Sequence, residues 1–419
     1  MAIIVQKFGG TSVANAEKIK RAAQRVIKHI KEGYSVVVVA SARGQQTDEL
    51  IADALELNPD PPDRELDQLL STGEIQSVSL FAMALNAAGY DAISFTGGQI
   101  RMMTDGVHTK ARIKSIDAGR IQKELNKGRI VLVAGFQGID NYGNITTLGR
   151  GGSDTSAVAL AAALKAAECE IFTDVDGVYT TDPRIFKDAV KMNKISYDEM
   201  LEMASMGAGV MHSRSIELGK KCNVKIQVRN SGNENEGTII TSEEEAQMEE
   251  VVVSGATIQK DMAKIGLNNI DHRPGNAARI FSKLADAHVL INDIIQTEVS
   301  PQKATLSFTI GASDLKAAKK AVESIKNEVG CENIFIRDDI AEISVIGVGM
   351  RSHYGIADKM FTALAKAKVN IDSITTSEIR ISCVVDKKDA EKALIAVCRA
   401  FELDKPAEKR KKYPKKIKR

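Results

Sequence analysis

The sequence predicts an α/β fold, a mostly parallel-sheet αβα sandwich followed by two ferredoxin-like βαββαβ units. Three observations point there. Residues 1–240 alternate short apolar runs with helical patterns, the composition turns polar and acidic just after Thr241, and the remaining chain repeats itself at an offset of 80 residues. Alternation of strand and helix favours parallel strands buried on both faces, because each crossover helix has to cover the sheet it returns to.

A chain of 419 residues, 43% of them hydrophobic, can bury two to four cores. Buried strands are expected at 2–7, 35–40, 91–95, 129–134, 169–174 and 224–229, and helices near 15–31, 64–88, 116–127, 154–167 and 210–221. In such sheets ligands gather beyond the carboxyl ends of the strands, where glycine-rich loops feed helix N-termini. No G-x-x-x-x-G-K-[ST] is present and no G-x-G-x-x-G follows the first strand. A P-loop enzyme and a standard dinucleotide dehydrogenase both lose ground.

The first such turn is Lys7-Phe8-Gly9-Gly10-Thr11-Ser12. Paired glycines let backbone N–H groups approach phosphate oxygens, Thr11 and Ser12 add hydroxyl donors, and Lys7 brings a mobile positive charge. Taken alone, the pattern fits an anion cradle and a plain tight turn about equally. The second turn is Thr146-Thr147-Leu148-Gly149-Arg150-Gly151-Gly152-Ser153-Asp154-Thr155-Ser156, which runs into an alanine-rich helix. It reads either as an ordinary capped helix or, with the first turn, as the donors, cations and carboxylate that phosphoryl transfer needs.

Two further segments suit a small zwitterion. An amino acid requires a carboxylate for its ammonium group and donors for its carboxylates. Glu74, in Ser71-Thr72-Gly73-Glu74, suits the first role, and Arg150, Ser41 and Thr47 suit the second; read alone, Glu74 is an exposed helix carboxylate. Residues 173–184, TDVDGVYTTDPR, carry three aspartates, yet their spacing is not that of a calcium loop, and no metal site held by the protein is expected.

Together, KFGGTSVAN, SARGQQT, STGE, GRGGSDTSA and TDVDGVYTTDPR resemble the aspartate kinases of the amino-acid kinase family. The resemblance implies an amino-acid kinase fold over 1–240 and transfer of a phosphoryl group from ATP, with Mg²⁺, to L-aspartate. It places Lys7 and Asp154 in the catalytic centre. It assigns Lys7, Phe8, Gly9, Gly10, Gly151, Gly152, Thr173, Asp174, Tyr179 and Arg184 to ATP, and Ser41, Thr47, Glu74, Arg150 and Ser153 to aspartate. One departure stands out. Where the family usually reads GAKVLHPR this chain has Gly207-Ala208-Gly209-Val210-Met211-His212-Ser213-Arg214, so a customary lysine is Gly209 and a customary proline is Ser213.

The repeat aligns Gly275 with Gly355, Phe281 with Phe361, Leu284 with Leu364, Val289 with Val369, Ile294 with Ile374 and Glu298 with Glu378, without gaps. Each copy reads as a βαββαβ unit and resembles an ACT domain. The expected boundaries are 262–339 for the first and 340–404 for the second, joined to the kinase part by an acidic linker and strand at 241–261. The last helix of the second copy runs almost directly into the chain end, so its final strand is expected from the strand-like 250–258, with the first copy inserted within the second. The resemblance implies feedback inhibition by lysine and/or threonine at Asp271, Gly275, Asn292, Asp293, Ile294, Asn370, Thr375 and Thr376, and a homo-oligomer formed through ACT domains.

Residues 405–419 hold nine Lys or Arg against Glu408 alone, a net of +8, which leaves the rest of the chain at −6 against a total of +2. This is read as a basic disordered tail; no nucleic-acid module accompanies it and no nucleic-acid partner is expected. Five scattered cysteines without metal spacing, no signal-like start and no membrane-length apolar run suggest a cytoplasmic protein without a membrane partner. The alternatives are a kinase acting on glutamate or carbamate, and a catalytically weak amino-acid sensor that keeps the fold.

Overall fold

The chain divides into two units in the computed structural model, which describes residues 1–207, 209–246 and 252–411. The first unit comprises residues 1–179, 191–205 and 209–246 of these. In chain order it contains β1 (Ile3–Phe8), α1 (Ala16–Lys31), β2 (Ser35–Ala40), α2 (Gln46–Leu57), α3 (Asp63–Ala87), β3 (Ala92–Phe95), β4 (Met103–Thr104), β5 (Ile113–Ser115), α4 (Gly119–Leu125), β6 (Ile130–Ala134), β7 (Gln137–Ile139), β8 (Ile145–Thr147), α5 (Gly152–Leu164), β9 (Glu168–Thr173), β10 (Lys194–Ser196), α6 (Tyr197–Ser205), α7 (Ser213–Cys222), β11 (Ile226–Asn230), β12 (Thr238–Thr241) and α8 (Glu243–Ala246).

Eight strands form one sheet in the order β10-β12-β11-β9-β1-β2-β6-β3, parallel throughout except between β11 and β12. The apolar runs Ile3–Phe8 and Ser35–Ala40 are its centre because they are buried on both faces. On one face α1 and α3 bury Ile19, Val26, Val78, Phe81 and Leu85 against Phe8, Val36, Val38, Leu132 and Phe172. Helix α1 starts where the Asn15 side chain accepts from the Lys18 N–H at 3.0 Å, and stops before Gly33, whose φ is +90°. On the other face the nearly all-buried α5 packs on β1, β2 and β9 and is backed by α7.

All six expected strands and all five expected helices are present, with ends shifted by a few residues. The sequence reading missed the short strands β4, β5, β7 and β8, which form a separate four-stranded sheet, together with β10, β12, α2 and α6. In the segment 41–47, which follows β2, α2 already begins at Gln46 and puts Thr47 in a helical first turn.

The second unit comprises residues 180–190, 206–207 and 252–411 of those described. It contains β13 (Gly255–Asp271), α9 (Asn276–Asp286), β14 (Ile291–Ser300), β15 (Lys303–Gly311), α10 (Leu315–Ile325), β16 (Asn333–Ile346), α11 (Ile356–Lys366), β17 (Ser373–Thr376), β18 (Arg380–Asp386) and α12 (Ala390–Ala400), with one sheet in the order β14-β15-β13-β16-β18-β17. Two long antiparallel strands serve both copies of the repeat. Residues 262–271 of β13 and 333–337 of β16 complete the first βαββαβ unit, whereas Gly255 to Gln259 pair with Ile346 to Glu342 in the second. The missing final strand of the second copy is therefore supplied from upstream, as the sequence suggests; residues 250 and 251 of the expected strand lie outside the described residues.

Residues 180–190, expected within the kinase part, belong to this second unit: Phe186 lies in its core and Thr180 Oγ1 donates to the Leu403 carbonyl at 2.8 Å. The basic tail also needs correction. Arg410 Nη1 donates to the Val253 carbonyl at 2.7 Å and the Lys411 N–H to Glu402 Oε2 at 2.7 Å, so the tail up to residue 411 is docked, and 412–419 lie outside the described residues.

Candidate active site

Strand alternation decides where the first glycine turn puts its charge. Phe8 faces α3, stacked on Phe172 at 4.7 Å and edge-on to Phe81 at 5.4 Å, so only its backbone is available to a ligand. Lys7, one residue earlier, points to the opposite face of the sheet and meets the first turn of α5, its Nζ 2.6 Å from Asp154 Oδ1. Both side chains are largely buried. The chain then turns tightly: the Gly9 N–H donates to the Phe172 carbonyl at 3.2 Å, and the Gly10 carbonyl accepts from Val13 and Gly44. A Cβ at Gly10 would lie 2.6 Å from the Ala42 carbonyl oxygen, which is why only glycine fits there.

The second turn places left-handed glycines on both sides of Arg150, with φ of +75° at Gly149 and +68° at Gly151. Gly151 caps α5, and a Cβ there would fall 2.3 Å from the Cβ of His212. Arg150 is exposed, while Gly152 and Ser153 are buried at the helix start. Free N–H groups at this end and the Lys7 ammonium favour an anion between the two turns.

Glu74 is 3% exposed, on the buried face of α3. Its Oε1 accepts from the Ala42 N–H at 3.1 Å, while Oε2 is buried without a partner among the described residues. Burial pushes its carboxyl up to about 7, against the pull of the Ala42 N–H. The adjoining Gly73 makes the approach possible, since a Cβ there would lie 2.7 Å from the Ala42 Cβ. Ser41 closes β2, with its N–H on the Phe8 carbonyl at 3.1 Å. Lys7, paired with Asp154, thus lies beside Gly9, and Ala42 joins Gly10 to Glu74; Glu74 is the reverse of the exposed carboxylate that the helix pattern alone allows.

Beyond β9, Thr173 Oγ1 donates to Asp174 Oδ1 at 3.1 Å. Asp174 helps to line a cavity of about 210 Å³ together with Phe8, Thr11, Ser12, Lys18 and the turn at Asn230 to Gly232. The two loops are joined by Asp176, whose Oδ1 accepts from Asn230 at 2.7 Å and Asn233 at 2.8 Å. Tyr179 bridges to Lys191, and burial raises its hydroxyl, as does the charge of Asp176. Arg184 is part of the second unit, where its Nε and Nη2 grip Asp182. At Gly209 a built Cβ meets nothing within 4 Å, so the position customary for lysine is open space. Among the described residues no group of three or more His, Cys, Asp or Glu is arranged to hold a metal ion.

The residues assigned to an effector are not all brought together within one chain. Gly275 caps α9 with φ +95°, and Asn276 Nδ2 holds the turn by donating to the Asp271 carbonyl at 2.8 Å. Asp271 pairs with Lys303, however, while Ile291 pairs with Ile310, so Asn292, Asp293 and Ile294 lie at the opposite end of their strands. That separation is about 17–20 Å along the sheet. Asp293 instead reaches Arg380, Oδ1 to Nη2 3.4 Å, and its N–H donates to Thr309 Oγ1. In the second copy Thr375 and Thr376 are on edge strand β17, and Asn370 precedes it.

The chain is 48% identical over 407 residues, 97% of its own length and 99% of the relative's, to the aspartate kinase Ask_LysC of Stutzerimonas stutzeri. The chain belongs to the aspartate kinases. Aspartokinase 2 of Bacillus subtilis is 45% identical over 97% of this aspartate kinase and 99% of its own length. The model of the amino acid kinase family matches residues 2–230 and an ACT domain model matches 343–401. Aspartokinase III of E. coli, solved in complex with lysine and aspartate, superposes with a TM-score of 0.74 at 25% identity, covering 95% of this chain and 99% of that one. This aspartate kinase is therefore a phosphotransferase with an amino-acid kinase fold followed by ACT domains. Among the described residues no helix is long and apolar enough to cross a membrane.

Proposed function

We propose that this enzyme transfers the γ-phosphoryl group of Mg²⁺-ATP to the side-chain carboxylate of L-aspartate, giving 4-phospho-L-aspartate and ADP. The observation that carries the reading is the Lys7–Asp154 ion pair, held at 2.6 Å between two glycine turns, with the buried Glu74 carboxylate on the N–H of Ala42, which packs on the first of them. A carboxylate oxygen of aspartate attacks the γ-phosphorus and ADP leaves. Lys7 offsets the charge that builds on the transferring group, and Asp154 holds the Lys7 ammonium in place. The turns at Phe8, Gly9 and Gly10 and at Gly151 and Gly152 line the phosphate site, the Gly9 and Gly152 N–H groups fixing the turns on the Phe172 and Gly149 carbonyls, while Thr173, Asp174 and Tyr179 hold the adenosine.

For aspartate, Glu74 reads the ammonium group, and Arg150, Ser41, Thr47 and Ser153 bind the carboxylates. The donor set fits Mg²⁺ as a companion of the nucleotide: Asp154 lies on the second glycine turn, Asp174 shares a cavity with Thr11 and Ser12 of the first, and this ion commonly takes one or two carboxylates with waters and phosphate oxygens. When bound it supplies neutralisation of phosphate charge.

The reaction opens the aspartate-derived route to lysine, threonine and methionine, in the cytoplasm, and lysine and/or threonine inhibit it through the ACT domains. Because Asp271 and Gly275 stand far along the sheet from Asn292, Asp293 and Ile294, an effector site using both sets is completed between two chains, through the free edges of β14 and β17 in a homo-oligomer. The lysine complex of the E. coli relative supports this direction. ADP release with hydroxylamine trapping, run on aspartate, glutamate and carbamate, tests the substrate. Hydroxamate formed from aspartate alone is expected; a preference for another acceptor overturns the assignment.

A further inference from the structure

The sequence motifs explain Arg150 but not what holds it, and Asp67 supplies that. This carboxylate is fully buried on α3, where an uncompensated charge would be costly, and four donor contacts satisfy it. Thr147 Oγ1 donates to Oδ1 at 2.5 Å, His108 Nδ1 to Oδ2 at 2.7 Å, and the Thr109 N–H to both oxygens at 3.0 and 3.1 Å. One end of this cluster is therefore the residue that starts the Arg150 turn, and the other is the loop at 105–112.

Those two segments are fastened to each other around Arg150. The Ala111 N–H donates to the Thr147 carbonyl at 2.9 Å, and a Cβ on Gly149 would lie 3.0 Å from the Thr109 carbonyl oxygen. Arg214 bridges the same pair of segments, Nη1 to the Leu148 carbonyl at 2.8 Å and Nη2 to the Ala111 carbonyl at 2.7 Å. On the far side His212 abuts Gly151. Every residue flanking Arg150 is held from outside the turn, while the Arg150 side chain itself is exposed.

We propose that Asp67, His108 and Arg214 are positioning residues that set the direction of the Arg150 guanidinium and so the affinity for the amino-acid substrate. The inference rests on the assignment of Arg150 to a substrate carboxylate. Asp67 is a poor probe, since removing it leaves three donors unpaired in the interior. His108 is better, with a side chain 20% exposed. The experiment is steady-state kinetics of His108→Ala, His108→Asn and Arg150→Ala, varying aspartate and ATP separately.

His108→Ala raises KM for aspartate about tenfold and leaves KM for ATP within about twofold, because a displaced donor costs orientation at one substrate only. His108→Asn, whose amide N–H can still donate to Asp67, recovers KM for aspartate to within about threefold of the parent. An unchanged KM for aspartate in His108→Ala, or an equal rise for both substrates, overturns the positioning role if Arg150→Ala still raises KM for aspartate. If Arg150→Ala leaves that KM unchanged, the carboxylate assignment falls and this inference with it.

Discussion

Glu74 is a carboxylate held close to the middle of its titration under ordinary conditions, because burial lifts its folded pKa from 4.5 to about 7. Only the ionised form attracts an ammonium group, so kcat/KM for aspartate falls as pH drops below about 7, by about tenfold per unit, and Glu74→Gln removes that limb while raising KM for aspartate far more than KM for ATP. Equal effects on both substrates in Glu74→Gln would mean a structural role. Stability carries the opposite sign from the usual acidic group. The folded state retains the proton that the unfolded chain loses, so the contribution of Glu74 to ligand-free stability decreases as pH rises between 4.5 and about 7, and the difference between parent and Glu74→Gln in urea titrations changes with pH in that sense. Lys7, Glu74 and Asp154 were legible in the sequence because each belongs to a contiguous motif. Asp67 and His108 were not, since Asp67 meets His108 and Thr147 from 41 and 80 residues away along the chain, and the partners of Arg214 and Asp176, though both lie in quoted segments, are likewise made neighbours only by the fold.

At the scale of elements, the start of α5 concentrates two constraints on one residue. Gly151 has both a left-handed backbone and a neighbour, His212, where a side chain would go; Gly143 has φ +83° but nothing within 4 Å. Gly143→Ala is therefore expected to cost about 1 kcal/mol, for backbone strain alone, and Gly151→Ala at least about 1 kcal/mol more, with loss of turnover because Asp154 moves with the helix start. Urea midpoints at constant m-value check this, and equal shifts for the two variants would refute it. Strands of five or six residues with unbroken apolar runs were readable from pattern. The two- and three-residue strands β4, β5, β7, β8 and β10 were not, because a period of two cannot be recognised over so few positions. The helix α2, with no buried residue, likewise lacks the apolar stripe that makes a helix visible.

For the whole molecule, the 80-residue repeat made both βαββαβ units legible, and the absent last strand even pointed to the upstream donor. What the repeat did not reveal is that β13 and β16 each run through both units, which makes them one six-stranded sheet. An effector acting through this sheet must bind the less active state more tightly, and a preference of about 2 kcal/mol shifts the equilibrium about 30-fold. Titrating lysine, threonine and both into the assay is expected to inhibit, and Gly275→Val, which forces a branched side chain into a left-handed cap, to weaken the inhibition. No inhibition and no binding by either amino acid would remove the regulatory role and leave the kinase assignment intact. The central claim, that Lys7 held by Asp154 stabilises the transferring phosphoryl group, is tested most directly by Lys7→Met in the hydroxamate assay beside a measurement of ATP binding. The account predicts kcat lowered about 100-fold or more with ATP affinity changed much less, as befits loss of a charge-stabilising donor; near-parental turnover by folded Lys7→Met would contradict it.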